Sequence, residues 1–324
     1  MNNKKTLMVL GAGVFQLEAI RKASAMGHHV ITVDYLPGNI GHLISDEYVN
    51  ASTIDSESVL QAAREHRIDG IFTMSSDIAL PAVAHVAVAL GLPGPRSKTV
   101  NLLTRKNRFR RLQKELGLDS PRSIEVTSFD ESRAKWQGVE ALVKPAVSSG
   151  SRGVARIRAL DESARPVIEA ACEFSYNDTA CLEEFIDGRD ACMEGFVLDG
   201  QVAVACTTDK HVRGFAVLGH EMPGDISPER QAEMIRQVQA VLTAAGYSNG
   251  PFEADFRLTA DRTVLLEITP RLGGNGVPAL TQLSHGLPLI TAAIQSALGE
   301  TPCLEPDRPE RERLPGAAIL LYSE

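Results

Sequence analysis

The carboxylates of Glu253, Asp255 and Glu267, the Thr269 hydroxyl and the Arg271 guanidinium lie close together in the chain between Gly250 and Gly276. Gly250-Pro-Phe-Glu-Ala-Asp-Phe-Arg-Leu258 alternates like a strand, Val264 onward reads as its partner, and Thr259–Arg262 makes the hairpin connection. Side chains alternate faces along a strand, so Glu253 and Asp255 share one face, as do Glu267, Thr269 and Arg271. If those faces coincide, the carboxylates converge at one end of a buried hairpin. Unpaired carboxylates are costly to bury, and a hard divalent cation with oxygen ligands offsets that cost. Arg271 beside such a cation suits an anion with many oxygens, such as a nucleoside triphosphate. Taken alone, the same residues also fit a solvent-exposed acidic hairpin.

Three other stretches carry chemistry-bearing side chains. Lys144 ends the apolar strand Ala141–Pro145 just before the loop Val147-Ser-Ser-Gly-Ser-Arg-Gly-Val154. A lysine there reaches a phosphate as a point charge while the amides of a mobile loop close over it. The order differs from a Walker loop, in which the lysine follows the glycines. Glu183-Glu184-Phe185-Ile186-Asp187-Gly188-Arg189-Asp190 joins two strand-rich units. A strand passing between sheets offers main-chain groups to a flat base, and Asp190 could accept from ribose hydroxyls. Gly11-Ala-Gly13-Val-Phe-Gln16, with Asp34 further on, resembles half of a dinucleotide fingerprint, but the third glycine is missing. It fits better as a tight turn that sets a helix N-terminus near an anionic substrate.

The elements that must position these residues follow in order. Strands at Thr6–Leu10, His29–Val33 and Gly70–Thr73 alternate with helices at Val14–Met26, Asp55–His66 and Ile78–Leu90. That alternation predicts a doubly wound parallel domain over residues 1–95, with Gly11–Gln16, Asp34 and Ser75–Asp77 at its ligand-binding edge. A basic helical region at Lys98–Leu116 comes next, then an α+β unit over about 121–185. Two strands around an Asp199-Gly200 turn, a less regular segment at Asp209–Ile226 and a helix near Pro228–Ala245 lead to the hairpin. Helices around Val277–His285 and Pro288–Leu298 and a last strand at Ala317–Tyr322 complete the chain.

With 324 residues, 44% of them hydrophobic and 23% charged, the chain can bury a full core over two domains. A net charge of −8 argues against broad nucleic-acid or membrane-surface binding. The five cysteines form no CxxC pair, which suits small buried hydrophobes in a reducing compartment. No apolar run approaches a membrane span and no signal segment is visible, so the expectation is a cytoplasmic protein.

Lys106, the Lys144-Pro-(x)2-Ser-Ser-Gly-Ser-Arg-Gly loop, the Glu-Glu-Phe-Ile-x-Gly hinge, the Asp255/Glu267 pair and Ile-x-Pro-Arg271 occur in the order found in ATP-grasp enzymes. The chain resembles that family over residues 1 to about 300, in the branch of carbamoyl-phosphate synthetase and biotin carboxylase domains and the bacterial amino-acid ligases. The resemblance implies an α/β and α+β architecture. A Rossmann-like N-terminal domain (1–95) would precede a two-part ATP-grasp fold (96–324) with its lid at about 121–185. By position, Lys106 and Lys144 match the phosphate-contacting cations, and Ser148, Ser149, Gly150, Ser151, Arg152 and Gly153 the covering loop. Glu184 and Ile186 match the adenine hinge, and Asp190 the ribose-contacting acid, which is usually a glutamate. Asp255 and Glu267 match the carboxylate pair that holds Mg2+, for which Mn2+ can substitute. Thr269 stands where asparagine is usual, and Glu253 where a neutral residue is common. Arg271 matches the arginine at the transferring phosphoryl group, with Lys210 and His220 near that group.

The activity implied is ATP-dependent ligation, in which a substrate carboxylate becomes an acyl phosphate and couples to an amine, releasing ADP and phosphate. The partners expected are these small molecules, with a homodimer left open. Two alternatives stand beside it: an inert nucleotide-binding or regulatory protein, suggested by the departures at Thr269 and Asp190, and an NAD-dependent dehydrogenase built on residues 1–95.

Overall fold

The computed structural model describes residues 4–148, 152–309 and 312–321. Its mixed architecture is the one the element order implies, built on three sheets. In the first, β1 (Thr6–Leu10), β2 (His29–Val33), β3 (Glu47–Val49) and β4 (Gly70–Thr73) run parallel in the order β3-β2-β1-β4. A parallel sheet is covered on both faces, which is why β1 is an unbroken apolar run. Met8 and Leu10 face α2 (Ser56–Glu65) and α3 (Leu80–Leu90), in one core cluster with Val59 and Val83. Leu7 and Val9 point the other way, into a cluster with Ile20 of α1 (Leu17–Ala25) and Ile294 of α10 (Leu289–Ala297). The N-terminal sheet therefore closes its core with a helix from near the end of the chain. The strand β3 fell in a stretch that sequence alone left irregular; its two exposed residues show why it carried no burial pattern.

Two helices, α4 (Ser97–Thr104) and α5 (Lys106–Glu115), occupy the basic region expected as one. Arg105 is extended at φ −98 and ψ 112, and it breaks the helix immediately before Lys106. The second sheet is antiparallel, with β5 (Ser123–Val126), β6 (Ala141–Pro145), β7 (Ala155–Ile157) and β8 (Ala180–Glu183) in the order β5-β8-β6-β7. Its core rests on α6 (Phe129–Lys135) and α7 (Arg165–Phe174).

The third sheet holds β9 (Arg189–Leu198), β10 (Gln201–Arg213), β11 (Ala216–Met222), β12 (Gly250–Leu258), β13 (Thr263–Thr269) and β14 (Gly316–Ile319), all antiparallel. The order is β13-β12-β9-β10-β11-β14. The segment Asp209–Ile226, expected to be irregular, is mostly the end of β10 and all of β11, turning at Gly214 with φ 64. Its strand pattern was hidden because polar and charged side chains face each other across the ladder, with Lys210 opposite His220 and Asp209 opposite Glu221. Beneath the sheet, α8 (Pro228–Ala244) packs on Phe252 and Phe256, both fully buried, each contributing about 1.5–3 kcal/mol of apolar burial. α9 (Val277–His285) follows the glycine-rich loop after β13. Among the described residues no helix is long and apolar enough to cross a membrane.

Gly195 sits in mid-β9, where a Cβ would meet the Val204 carbonyl oxygen at 2.3 Å and the Phe252 ring at 2.7 Å. Gly195→Ala is therefore expected to cost about 1–3 kcal/mol, seen as an earlier midpoint in thermal unfolding. An unchanged midpoint would contradict this packing.

Candidate active site

The second and third sheets face each other across a cleft. Lys106, Lys144, Ser148, Glu184, Ile186, Asp190, Lys210, Asp255 and Glu267 all line it, brought together from separate stretches of the chain. Thr269 lines a smaller adjoining cavity with Lys106 and Glu267. Ser149, Gly150 and Ser151 lie outside the described residues. Arg152 stacks over the Phe174 ring at 5.8 Å, and Gly153 adopts φ 72 against Pro145.

The floor of the cleft is the hairpin. β12 and β13 pair Asp255 with Glu267 and Glu253 with Thr269, as the alternation of faces required. A bulge follows Asp255. Asp255 Oδ2 accepts from Lys210 Nζ at 2.6 Å, while its Oδ1 is buried with no hydrogen-bond partner among the described residues. Thr269 Oγ1 is likewise buried and unpartnered among them. Burial works against the Lys210 charge, yet Asp255 and its neighbours raise the ammonium pKa above its ordinary value. Glu267 is half-exposed, with Lys106 Nζ 3.9 Å from Oε1. Burial would raise its pKa, but Lys106 and Lys144 draw it below the usual carboxylate range.

Behind Lys106 and Lys144 lies an ion-pair group that the sequence left unassigned. Glu183, at the end of β8, is fully buried and accepts from Arg110 Nε at 2.8 Å and Nη2 at 3.1 Å. Lys144 Nζ sits 2.8 Å from Oε2, the oxygen that also accepts from Arg110 Nη2. Burial alone would raise the Glu183 pKa, but Arg110 and Lys144 hold it well below the usual range. Arg110 also donates to the Leu266 carbonyl at 2.8 Å, tying α5 to the hairpin. Arg110 was counted only as part of a basic helix. Its burial, unusual for an arginine, has no signature in sequence.

At the hinge the Glu184 side chain turns away to Arg262, at 3.1 Å from Nη1. Asp190 pairs with Arg257 at 3.0 Å, and burial raises the Asp190 pKa in spite of that cation. Arg257 could have been found: it lies two residues beyond Asp255 on β12, hence on the same face.

Arg271 and His220 are not among the residues lining the cleft. Arg271 is buried, with Nε donating to Asp77 at 2.7 Å and Nη1 to Glu253. It thus bridges the first and third sheets. His220 is buried across from Lys210, held by Thr208 Oγ1 at 2.9 Å from Nδ1. Burial and then Lys210 push its pKa down to about 4, so the ring is neutral at pH 7. Of two further residues, Cys192 was expected only as a small buried hydrophobe and Glu194 went unnoticed in the sequence. Cys192 Sγ lies 3.8 Å from Glu253 Oε1, and burial lifts its thiol pKa far above the ordinary range. Glu194 is fully buried in β9.

Residues 138–279 match the model of the ATP-grasp domain. The y4rH protein of Sinorhizobium fredii is 28% identical over 233 residues, 70% of this chain; the chain spans about half of that protein, 48%. The formate-dependent phosphoribosylglycinamide formyltransferase of Pelobacter propionicus is 26% identical over 312 residues, 90% of this chain and 75% of that protein. Among solved structures, the L-amino acid ligase from Bacillus licheniformis superposes with a TM-score of 0.77 at 23% identity, covering 97% of this chain and 78% of its own. The N5-carboxyaminoimidazole synthetase from Staphylococcus aureus complexed with ADP also gives 0.77, at 16% identity, over 94% of this chain and 80% of its own.

Removing one partner of a buried ion pair typically costs about 3–5 kcal/mol, so Arg110→Leu should lower stability by that order. Because the folded Glu183 pKa is depressed from 4.5, its stabilisation is fully present above that value and is lost as the pH falls below it. Urea titrations between pH 7 and pH 3 check both points, and an Arg110→Leu chain as stable as its parent would contradict the pairing.

Proposed function

We propose, on the premise that this chain carries an ATP-grasp domain, that it is an ATP-dependent carboxylate–amine ligase. The observation that carries the reading is the convergence of Lys106, Lys144, Asp255 and Glu267 on one cleft beside the Glu184–Ile186 hinge. We take residues 1–95 as the N-terminal domain and 96–324 as the nucleotide clamp, with 121–185 as its lid. The Bacillus licheniformis neighbour is titled an L-amino acid ligase and the Staphylococcus aureus neighbour a synthetase with ADP, and both support this reading.

ATP would lie with its base against the hinge main chain, its ribose toward Asp190 and its phosphates between Lys106 and Lys144. The unpartnered oxygens of Asp255 and Thr269, with the half-exposed Glu267 carboxylate, form an all-oxygen donor set that fits a hard cation. When bound there, Mg2+, or Mn2+ in its place, would offset triphosphate charge and polarise the transferred phosphoryl group. The chain's own contribution is positioning and fixed charge. One oxygen of the substrate carboxylate attacks the γ-phosphorus, and the bond to the β-phosphate oxygen breaks, releasing ADP. Lys144, held by Glu183, and Lys210, held by Asp255, are cations already in place beside that transfer. The amine nitrogen then attacks the acyl carbon, loses a proton to solvent, and phosphate departs with its bonding pair.

The acceptor would occupy the groove lined by Phe15, Met74, Ser75, Gly273 and Gly276, between the N-terminal sheet edge and the glycine-rich loop. Ser148–Gly153 would close over the phosphates and exclude water from the acyl phosphate. A second reading, nucleotide binding without turnover, draws on one observation: Arg271 is already paired with both Asp77 and Glu253. ADP release screened over pairs of carboxylates and amines separates the two.

Glu267→Gln is expected to leave the circular dichroism spectrum unchanged and to abolish ADP release with any pair that supports it. Wild-type turnover by that variant at ordinary Mg2+ would remove the assignment. Thr269→Val should raise the Mg2+ concentration needed for half-maximal rate, whereas Thr269→Asn keeps an oxygen there and should remain active. An unchanged Mg2+ dependence in the valine variant would reduce Thr269 to a strand residue.

A further inference from the structure

Glu194 is a carboxyl in a place where sheets carry apolar side chains. It lies in the middle of β9, between Cys206 on β10 and Glu253 on β12, and is fully buried. Its Oε1 accepts from the Gly273 amide at 2.6 Å. Its Oε2 is buried with no partner among the described residues. A carboxyl held this way is costly to the fold, and no hydrogen bond of the sheet itself needs it.

Its one partner is the loop that follows Arg271. The Gly273 amide is held by Glu194 from the third sheet, and the Gly273 carbonyl accepts from Ser75 Oγ of the N-terminal domain at 2.8 Å. The preceding carbonyl, of Leu272, accepts from the Ser75 amide at 3.0 Å and from Arg271 Nη1 at 3.2 Å. A Cβ at 273 would press on Glu253 Oε1 at 3.0 Å and Glu194 Oε1 at 3.1 Å, so a side chain there would push one of the two carboxyls aside. The Glu194–Gly273–Ser75 chain therefore runs beside the Glu253–Arg271–Asp77 chain, and both join the third sheet to the first. Together they fix the direction of the guanidinium and the wall of the acceptor groove.

We propose that Glu194 is a positioning residue: its buried carboxyl pins the Gly273 amide and so sets the aim of Arg271 and of the glycine-rich loop on the substrate. The statement rests on the ligase reading for what is positioned, though not for the contact itself. Burial pushes the Glu194 pKa up to about 8, so the group is protonated at neutral pH and donates no charge to the site. The groups facing it are Glu253 from β12, Cys206 from β10, Arg271 from the loop, and Cys192 on its own strand. Both thiols keep their protons, burial raising Cys206 to about 12 and Cys192 well above its ordinary value. Ionisation of Glu194 would thus place a second carboxylate against Glu253 with Arg271 as the shared cation.

Wild type, Glu194→Gln and Glu194→Leu decide the matter in the full chain. Glutamine keeps the acceptor oxygen and the shape and never ionises; leucine keeps the volume and removes the acceptor. Hydrogen exchange over residues 270–276, measured without substrate, should be alike in wild type and the glutamine variant and at least about tenfold faster with leucine. With a pair that supports ADP release, glutamine should retain kcat. Leucine should lower kcat by about 10–100-fold while leaving KM for ATP nearly unchanged, the signature of a misaimed group. As the pH rises through about 8 the wild-type rate should fall, and the glutamine variant should lack that fall. A glutamine variant as impaired as leucine, or a leucine variant with wild-type exchange and kcat, would overturn the proposal. If the leucine chain does not fold, Glu194→Met, which also lacks the acceptor oxygen, takes its place in the exchange measurement. Exchange needs no turnover, so a wild type silent with every pair removes the ligase reading and leaves the Glu194 contact to be judged by exchange.

Discussion

Charged groups facing one another between two sheets, with little water to screen them, must neutralise each other. Here Glu183 takes Arg110 and Lys144, Asp255 takes Lys210, Asp190 takes Arg257, and Glu253 shares Arg271 with Asp77. Such pairs rarely stabilise a fold more than apolar residues of the same volume, so their presence speaks for a task. The pairs also lock together elements distant in sequence. Arg110 ties α5 to the hairpin, and Arg271 ties the hairpin to the N-terminal sheet. The cleft is consequently preorganised, with its cations aimed before any anion arrives, which is the condition under which fixed charge contributes most to a reaction.

The same bookkeeping explains which atoms are left over. Among the described residues, Asp255 Oδ1 at the cleft floor and Thr269 Oγ1 in the adjoining cavity have no hydrogen-bond partner. Oxygen atoms of that kind suit a hard cation. The neutral ring of His220 and the protonated Glu194 and Cys192 add no charge to the balance. The net character of the cleft is set by the lysines and by the Asp255–Glu267 pair.

Much of this was legible in the residues. The hairpin was, because β12 alternates buried and half-buried positions along its whole length. So was the parallel N-terminal sheet, of which β1, β2 and β4 are short, almost wholly buried runs. Of the residues that resemble ATP-grasp motifs, Lys106, Lys144, Ser148, Glu184, Ile186, Asp190, Lys210, Asp255 and Glu267 share one cleft, while Arg152, Gly153, His220, Thr269 and Arg271 do not line it. Other features left no periodic trace. β9 is buried on both faces, so a glutamate inside it broke no alternation and drew no notice. The break at Arg105 lies in a strongly helical composition and is a matter of tertiary packing. The β10–β11 ladder pairs charge with charge at its far end, which erases the apolar pattern by which strands are recognised. The covering of the first sheet by α10 joins segments from opposite ends of the chain, and no local signal carries a contact of that range.

In the proposed ligase reaction the cleft passes the γ-phosphoryl group of ATP to a carboxylate and not to water. With a carboxylate that supports ADP release, labelled with 18O in both oxygens, the fate of the label reports the acceptor. The account predicts that each phosphate released carries one 18O from the carboxylate, because the oxygen that attacks phosphorus leaves with it. Unlabelled phosphate formed alongside ADP would mean that water is the acceptor, and would contradict it.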